Sequence, residues 1–377
     1  MAALSRADTT ILGRWWWTVD RWTLAAIIGL IGVGYIMMLA ASPAVAERIS
    51  RGAEHARDLF IVKQVVFLTV AAAIVLAVSL LSPRGVRRVA VAGCVIAILM
   101  TAATMVVGTE IKGARRWIAL PGMSLQPSEF LKPFFAVTAA WLIAEGRRLR
   151  GFPGVILTLG VFGVIALLLK LQPDYGMLGV VLGALFFQLF ISGLPLAVVG
   201  LFGALIVAGG TAAFLLVDHV HRRVMDFLDI TRPGNYQVKL ALEAFGSGGL
   251  LGRGPGEGRV KDVIPDVHAD FVFAVVGEEF GMLVCMAVIA TFAFIVLRGF
   301  KRVREEQDPF VLLATAGLAA GFGLQALVNL ATTVHLMPTK GMTLPFISYG
   351  GSSAVAVAVG MGLLLALTRR RHPGETT

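Results

Sequence analysis

Hydrophobic and polar positions in this chain fall into long blocks instead of interleaving at short period. Apolar runs occupy 23–42, 59–81, 89–107, 129–145, 154–170, 176–192, 195–217, 271–297, 309–334 and 352–368. Each is close to the length a helix needs to cross a bilayer, about 17 to 25 residues. The pattern predicts an all-α polytopic membrane protein with about ten transmembrane helices. A hydrophobic content of 57% excludes a soluble domain.

Charge adds orientation. Arg6, Arg14 and Arg21, then Arg84, Arg87 and Arg88, then Arg147, Arg148 and Arg150, then Arg298, Lys301, Arg302 and Arg304, then Arg369, Arg370 and Arg371 fall on one side if both termini are cytoplasmic. The opposite short loops carry only Arg48, Arg51, Arg57, Lys112, Arg115, Arg116 and Lys340. The positive-inside rule therefore predicts N-in and C-in. Residues 1–22 become a cytoplasmic N-terminus, 369–377 a cytoplasmic tail, and 218–270 a long extracytoplasmic loop between helices 7 and 8 of a single membrane domain spanning 1–377. Topology accounts for the net charge of +10, so no nucleic-acid partner is expected. Cys94 and Cys285 both lie in apolar runs and imply no disulfide framework. ASPAVAE after the first run faintly resembles a signal-peptidase site, but the run is span-length and Trp15, Trp16, Trp17 and Trp22 precede it as an interfacial anchor, which predicts a retained helix.

The chemistry is expected on the outer side. In PDVHADFVFAVVGEEFG, from Pro265 to Gly281, a polar stretch with Asp266, His268 and Asp270 runs into an apolar helix carrying Glu278 and Glu279. On a continuous helix Asp270, Ala274, Gly277, Glu278 and Gly281 share one face, which predicts an inward-looking acidic stripe. Pro127 opens another helix with Glu129 and Lys132 one turn apart, able to pair or to face a common cavity. Arg115 and Arg116 beside Trp117 suit either a phosphate clamp or a membrane anchor. Gln172-Pro173-Asp174-Tyr175-Gly176 has the composition of a tight structural turn.

The long loop holds a short amphipathic helix around Leu240–Ala244 and then a glycine-rich run from Gly246 to Gly258. That run lacks the GKS or GKT of a phosphate-binding P-loop, although its backbone N–H groups with Arg253, Arg259 and Lys261 suit an anionic headgroup. Gln325 and Asn329 share a helical face. Ser348 to Ser353 open the last span, where small and polar residues suit an anion or a tight helix crossing. No Ser-His-Asp motif, HExxH or metal-ligand cluster is present.

GARRWIALPGMSLQPSEFLK, QPDYG, YQVKLALEAFGSGGLLGRGPGEGRVK, PDVHADFVFAVVGEEFG and PTKGMTLPFISYGGSS, in this order over nearly the whole chain, resemble the SEDS family of membrane proteins, the FtsW, RodA and SpoVE type. GARRW and the TKG of MPTKGMTLPFISYGGSS resemble its cell-division, FtsW-type branch most. Departures are small: Ala269 where Thr is common, Tyr175 where Phe is usual, and a short segment between Asp229 and Tyr236.

The resemblance implies a peptidoglycan glycosyltransferase of the bacterial inner membrane, at the division septum, that polymerises lipid II into glycan strands with undecaprenyl diphosphate leaving. Asp270 is the family's catalytic position. Lys132, Glu129, Arg115, Arg116, Lys261, His268, Glu278, Ser348 and Ser352 are candidates for substrate binding. No cofactor is required by the motifs, although Asp270 and the diphosphate would suit a divalent cation, Mg or Mn. Expected partners are the nascent glycan, a class B penicillin-binding protein of the FtsI transpeptidase type, and the division proteins FtsQ, FtsL, FtsB and FtsN. A lipid II flippase and a non-catalytic scaffold are the alternatives.

Overall fold

The computed structural model describes residues 10–50, 54–111, 114–120, 123–229, 235–264, 267–304, 306–338 and 341–370. Lys112, Asp266, Lys340 and Arg371 lie outside them. Each apolar run coincides with a helix: α2 (Arg21–Ser50), α3 (Glu54–Ser79), α4 (Pro83–Val107), α5 (Ser128–Arg148), α6 (Gly154–Leu171), α7 (Tyr175–Ile191), α8 (Leu196–Leu216), α11 (Val272–Val303), α12 (Pro309–Thr333) and α13 (Gly351–Leu367). Among the described residues, seven helices are long and apolar enough to cross a membrane, and α7 and α13 are shorter apolar helices. Chain chemistry sets several starts. Ser82 caps α4 ahead of Pro83, Asp174 caps α7, and Asp308 caps α12 ahead of Pro309.

The centre of the bundle is α5, α12 and α13, whose small residues let the helices approach closely. Gly317 is one such position: a Cβ there would lie 2.2 Å from Gln188 Nε2. Gln188 in turn donates to the carbonyls of Ala136 and Leu313, joining α5, α7 and α12. At the end that carries the basic clusters, buried Asp20 accepts from Arg298 at 2.6 and 2.8 Å and pairs with Arg302 at 3.2 Å. Burial opposes ionisation of Asp20, but the two guanidiniums prevail and hold its carboxyl well below the usual range.

Three features differ from the sequence expectation. A short helix, α1 (Ile11–Thr18), precedes the first span. Residues expected as outer loop form a small antiparallel sheet, β1 (Thr109–Ile111), β2 (Ala114–Leu120) and β3 (Met123–Leu125), in the order β1-β2-β3. Strands of three to seven residues carry too little periodicity to stand out beside membrane spans. The long loop carries a helix beyond the expected one: α9 (Asp218–Leu228) precedes α10 (Tyr236–Gly248), which contains the helix expected around Leu240–Ala244.

The acidic stripe is not one helical face either. Asp270 lies in the turn before α11, and α11 is broken at Gly281, with φ 79° and ψ 178°. The glycine-rich run is what accommodates the break. Met282 N–H donates to Gly249 O at 3.0 Å and Leu283 N–H to Leu250 O at 3.3 Å, while Arg253 and Gly254 donate to the carbonyls of Glu278 and Glu279. Backbone groups released by the break are thus satisfied by the loop.

Gly252 and Gly281 both have positive φ, and a Cβ on either would meet backbone atoms at 2.2 to 2.4 Å. Gly252→Ala should therefore destabilise the protein by more than about 1 kcal/mol, read as a lower thermal-unfolding midpoint in detergent. Gly246→Ala, inside α10 with nothing within 4 Å, should leave the midpoint unchanged or slightly raised. Equal behaviour of the two variants would contradict the packing of the loop on α11.

Candidate active site

A cavity of about 350 Å³ opens at the end of the bundle opposite the basic clusters. Its wall draws Lys63 and Phe67 from α3, Arg116, Trp117, Met123, Ser124 and Gln126 from the sheet and its exit, and Glu129 from α5. Asp174 and Met177 come from the α6–α7 turn, Ala269 and Asp270 from the turn before α11, and Gln325 from α12. Residues of the 341–353 segment complete it.

The start of α5 is wired across the bundle. Lys132 Nζ donates to Glu129 Oε2 at 2.7 Å and to Gln325 Oε1 at 2.6 Å. Gln325 Nε2 donates to the Thr343 carbonyl at 3.0 Å, and the Thr343 and Ser353 hydroxyls lie 2.7 Å apart. One ammonium is therefore fixed by α5 and α12, and the acceptor on α12 is fixed by the loop before α13. Pairing offsets the cost of an ion at this depth.

Arg116 reaches from β2 to the α6–α7 turn. Its Nε and Nη2 donate to the carbonyls of Gln172 and Pro173, both at 2.8 Å, and Nη1 lies 3.6 Å from Asp174 Oδ2. Gln172 Nε2 donates onward to Thr104 Oγ1 at 2.6 Å, fastening the turn to α4. Burial pushes the Asp174 carboxyl up, while Arg116 and the Met177 N–H that it caps act in the opposite direction. QPDYG is the structural turn its composition suggested, and it also forms one wall of the cavity.

Asp270 is held through its backbone. Asn329 Nδ2 donates to the Asp270 carbonyl at 3.0 Å and to the Met342 carbonyl at 2.6 Å, tying the turn before α11 to the 341–350 segment. Tyr349 N–H donates to the His268 carbonyl at 2.8 Å, and the two rings meet edge to face at 5.5 Å.

Of the residues singled out from sequence, the structure brings Asp270, Glu129 and Arg116 into one wall, with Lys132 directly behind Glu129. The others lie elsewhere. Arg115 is exposed and pairs with Glu110 at 3.5 Å. Glu278, fully buried, accepts from the backbone N–H groups of Arg259, Val260 and Lys261 at 2.7 to 2.9 Å, so the loop amides meet a carboxylate of this chain. Lys261 is 3% exposed, ion-paired with Glu279 and bonded to the Ala40 carbonyl. Ser348 Oγ accepts from Leu344 N–H, and Ser352 Oγ joins Gln126 N–H to the Ser124 carbonyl. His268 abuts the wall through Tyr349. Lys63, Gln126 and Thr343 belong to the site without having stood out in the sequence. For Lys63 a signal existed, a lone ammonium inside an apolar run, the same that marked Lys132.

Among the described residues no three His, Cys, Asp or Glu side chains gather as a metal-ligand set. A divalent cation in this cavity would have Asp270 as its carboxylate ligand and would depend on the substrate for most of its oxygens.

Helices that cross a membrane, ending at one face in a polar cavity walled by acids and cations, define a multi-pass membrane protein with a polar site at one end of its bundle. The chain belongs to the FtsW/RodA/SpoVE family, whose model, described as "Cell cycle protein", matches residues 21–372. It is 41% identical over 375 residues to the probable peptidoglycan glycosyltransferase FtsW of Caulobacter vibrioides, covering 99% of this chain and 94% of that protein. It is 34% identical over 357 residues to the protein of the same name from Halomonas elongata, covering 92% and 89%. Among solved structures, it resembles a chain from work on structural coordination of polymerization and crosslinking by a peptidoglycan synthase complex. The TM-score there is 0.76 at 27% identity, over 93% of this chain and 97% of that one. The rod shape determining protein RodA of Thermus thermophilus superposes with a TM-score of 0.67 at 27% identity, over 94% and 97%.

The Lys132–Glu129 pair generates a stability prediction. Lys132→Met or Glu129→Gln alone should each lose about 3 to 5 kcal/mol by stranding a buried charge, and the double variant should lose less than the sum. Thermal unfolding of the four proteins in detergent measures the coupling; additive losses would contradict a buried pair.

Proposed function

We propose that this chain is a peptidoglycan glycosyltransferase that polymerises lipid II during cell division, on the outer face of the cytoplasmic membrane. The observation that carries the reading is the placement of Asp270 in the wall of a polar cavity with Glu129, Arg116 and Gln325, at the end of the bundle away from the basic clusters. With those clusters cytoplasmic, both termini lie inside and the cavity lies where a lipid-linked sugar presents its headgroup. The FtsW relatives carry the glycosyltransferase name over nearly their full length.

In this reading Asp270 is the general base. It removes the proton from the acceptor hydroxyl as that oxygen attacks the anomeric carbon of the donor, and undecaprenyl diphosphate departs with the electron pair of the broken bond. The donor is α-linked and the product β-linked, so the reaction is a single inverting displacement with no covalent glycosyl-enzyme. Fixed dipoles and charges around the cavity stabilise the negative charge that develops. Lys132 and Arg116 act mainly by holding the wall. A Mg or Mn ion held by Asp270 and the diphosphate would add Lewis-acid stabilisation.

A class B penicillin-binding protein is the proposed partner, by analogy with the peptidoglycan synthase complex that this fold resembles. FtsQ, FtsL, FtsB and FtsN, and the septal location, follow from the cell-division assignment. Polymerisation is favoured over translocation because the separate cavity that Lys132 lines between α5, α7, α12 and α13 is only about 40 Å³ and is walled largely by apolar residues such as Val181, Leu185 and Phe322.

The test is polymerisation of labelled lipid II by the purified protein with its transpeptidase, read as glycan ladders. Asp270→Asn should lose at least about 10²-fold in rate with normal membrane insertion and partner binding. Wild-type ladders from Asp270→Asn would contradict the base assignment. Transbilayer movement of lipid II by a protein that makes no ladders would favour the flippase.

A further inference from the structure

The cavity contains a cation that the mechanism above does not use. We propose that Lys63 of α3 holds the diphosphate of the donor lipid, an assignment that rests on the polymerase reading.

The other positive charges in and around the cavity already have partners in this chain. Arg116 is committed to two carbonyls and to Asp174. The ammonium of Lys132 is shared between Glu129 and Gln325. Arg115 faces Glu110 outside the wall, and Lys261 is sealed against Glu279. Lys63 alone among the described wall cations has no hydrogen bond or ion pair to another described residue, and it is half-buried. An ammonium within an apolar span that makes no such bond carries a free-energy cost that a ligand's negative charge offsets.

Geometry keeps Lys63 turned to the cavity. One residue on, buried Gln64 donates Nε2 to the Ser348 carbonyl at 3.3 Å. One turn on, Phe67 packs on Gly351 so closely that a Cβ there would lie 2.6 Å from its ring. These two contacts fix the rotation of α3 against the start of α13. Lys63 and Phe67, four residues apart, then share the cavity side of the helix, and both line the wall. Lys63, on α3, thus stands in the same cavity as Asp270, in the turn before α11.

That division suits the chemistry. An inverting displacement needs a base at the acceptor and positive charge at the leaving group, held apart so that they do not neutralise each other. The ammonium is a compact point charge suited to a diphosphate, whose oxygens it meets without a fixed fork geometry.

The experiment uses the full chain in detergent with two probes, undecaprenyl diphosphate and undecaprenyl monophosphate, for equilibrium binding. Lipid II polymerisation with the transpeptidase is measured in parallel. Lys63→Gln should weaken diphosphate binding about tenfold or more, affect monophosphate binding less, and lower kcat/KM for lipid II. Retained monophosphate binding in that variant reports an intact cavity. Lys63→Arg should restore most of both losses, and Lys239→Gln, on the exposed side of α10, should match wild type. Undiminished diphosphate affinity in Lys63→Gln would overturn the proposal, as would a loss that Lys63→Arg does not recover. If wild type makes no glycan while its diphosphate affinity still depends on Lys63, the polymerase reading fails and the cation site stands.

Discussion

An ammonium inside an apolar bundle has to be met by acceptors that are themselves held in place, and Lys132 is met twice. Glu129 lies one turn before it on α5, and Gln325 reaches it from α12. Because Gln325 also donates to the Thr343 carbonyl, the charge on α5 fixes the loop that leads into α13. Lys132 thus links three separate elements of the cavity wall, and the hydrogen bonds of Gln188, Asn329 and Ser352 join the same elements beside it.

A second constraint acts on the opposite wall. α11 breaks at Gly281, and the glycine-rich run satisfies the exposed backbone groups on both sides of the break. Glu278 accepts three loop amides and Lys261 pairs with Glu279. These buried charges bind the loop to the helix whose first turn follows Asp270. Asn329 then ties the Asp270 carbonyl to Met342. The turn bearing the proposed base is thus held between α11 and α12 by contacts that involve its backbone and its neighbours.

Much of this was legible in the sequence. Span-length apolar blocks coincide with helices because, in a bilayer, burial of backbone polar groups leaves helix as the available local structure. Lys132 with Glu129, Gln325 with Asn329, and the QPDYG turn stood out because polar residues in apolar surroundings are costly and few. The rest was hidden for identifiable reasons. Glu278 was placed in the acidic stripe by helical periodicity, which holds only within a helix, and α11 begins at Val272, after Asp270. Glycines from Gly246 to Gly258 suggested an anion site, and the anion is a carboxylate of the same chain, which no local pattern encodes. The sheet at 109–125 was too short for a periodic signal. Lys63 carried the same signal as Lys132, but no neighbouring acid drew attention to it.

Whether lipid II reacts in this cavity is answered by occupying it. Ser124 is exposed and lines the wall, whereas the native thiols of Cys94 and Cys285 are buried. Ser124→Cys, treated with a bulky thiol reagent in the presence of the transpeptidase, reports access and activity together. If lipid II reacts there, it slows labelling, and the labelled protein makes no glycan. Complete labelling under saturating lipid II, with polymerisation continuing at the unlabelled rate, would contradict it.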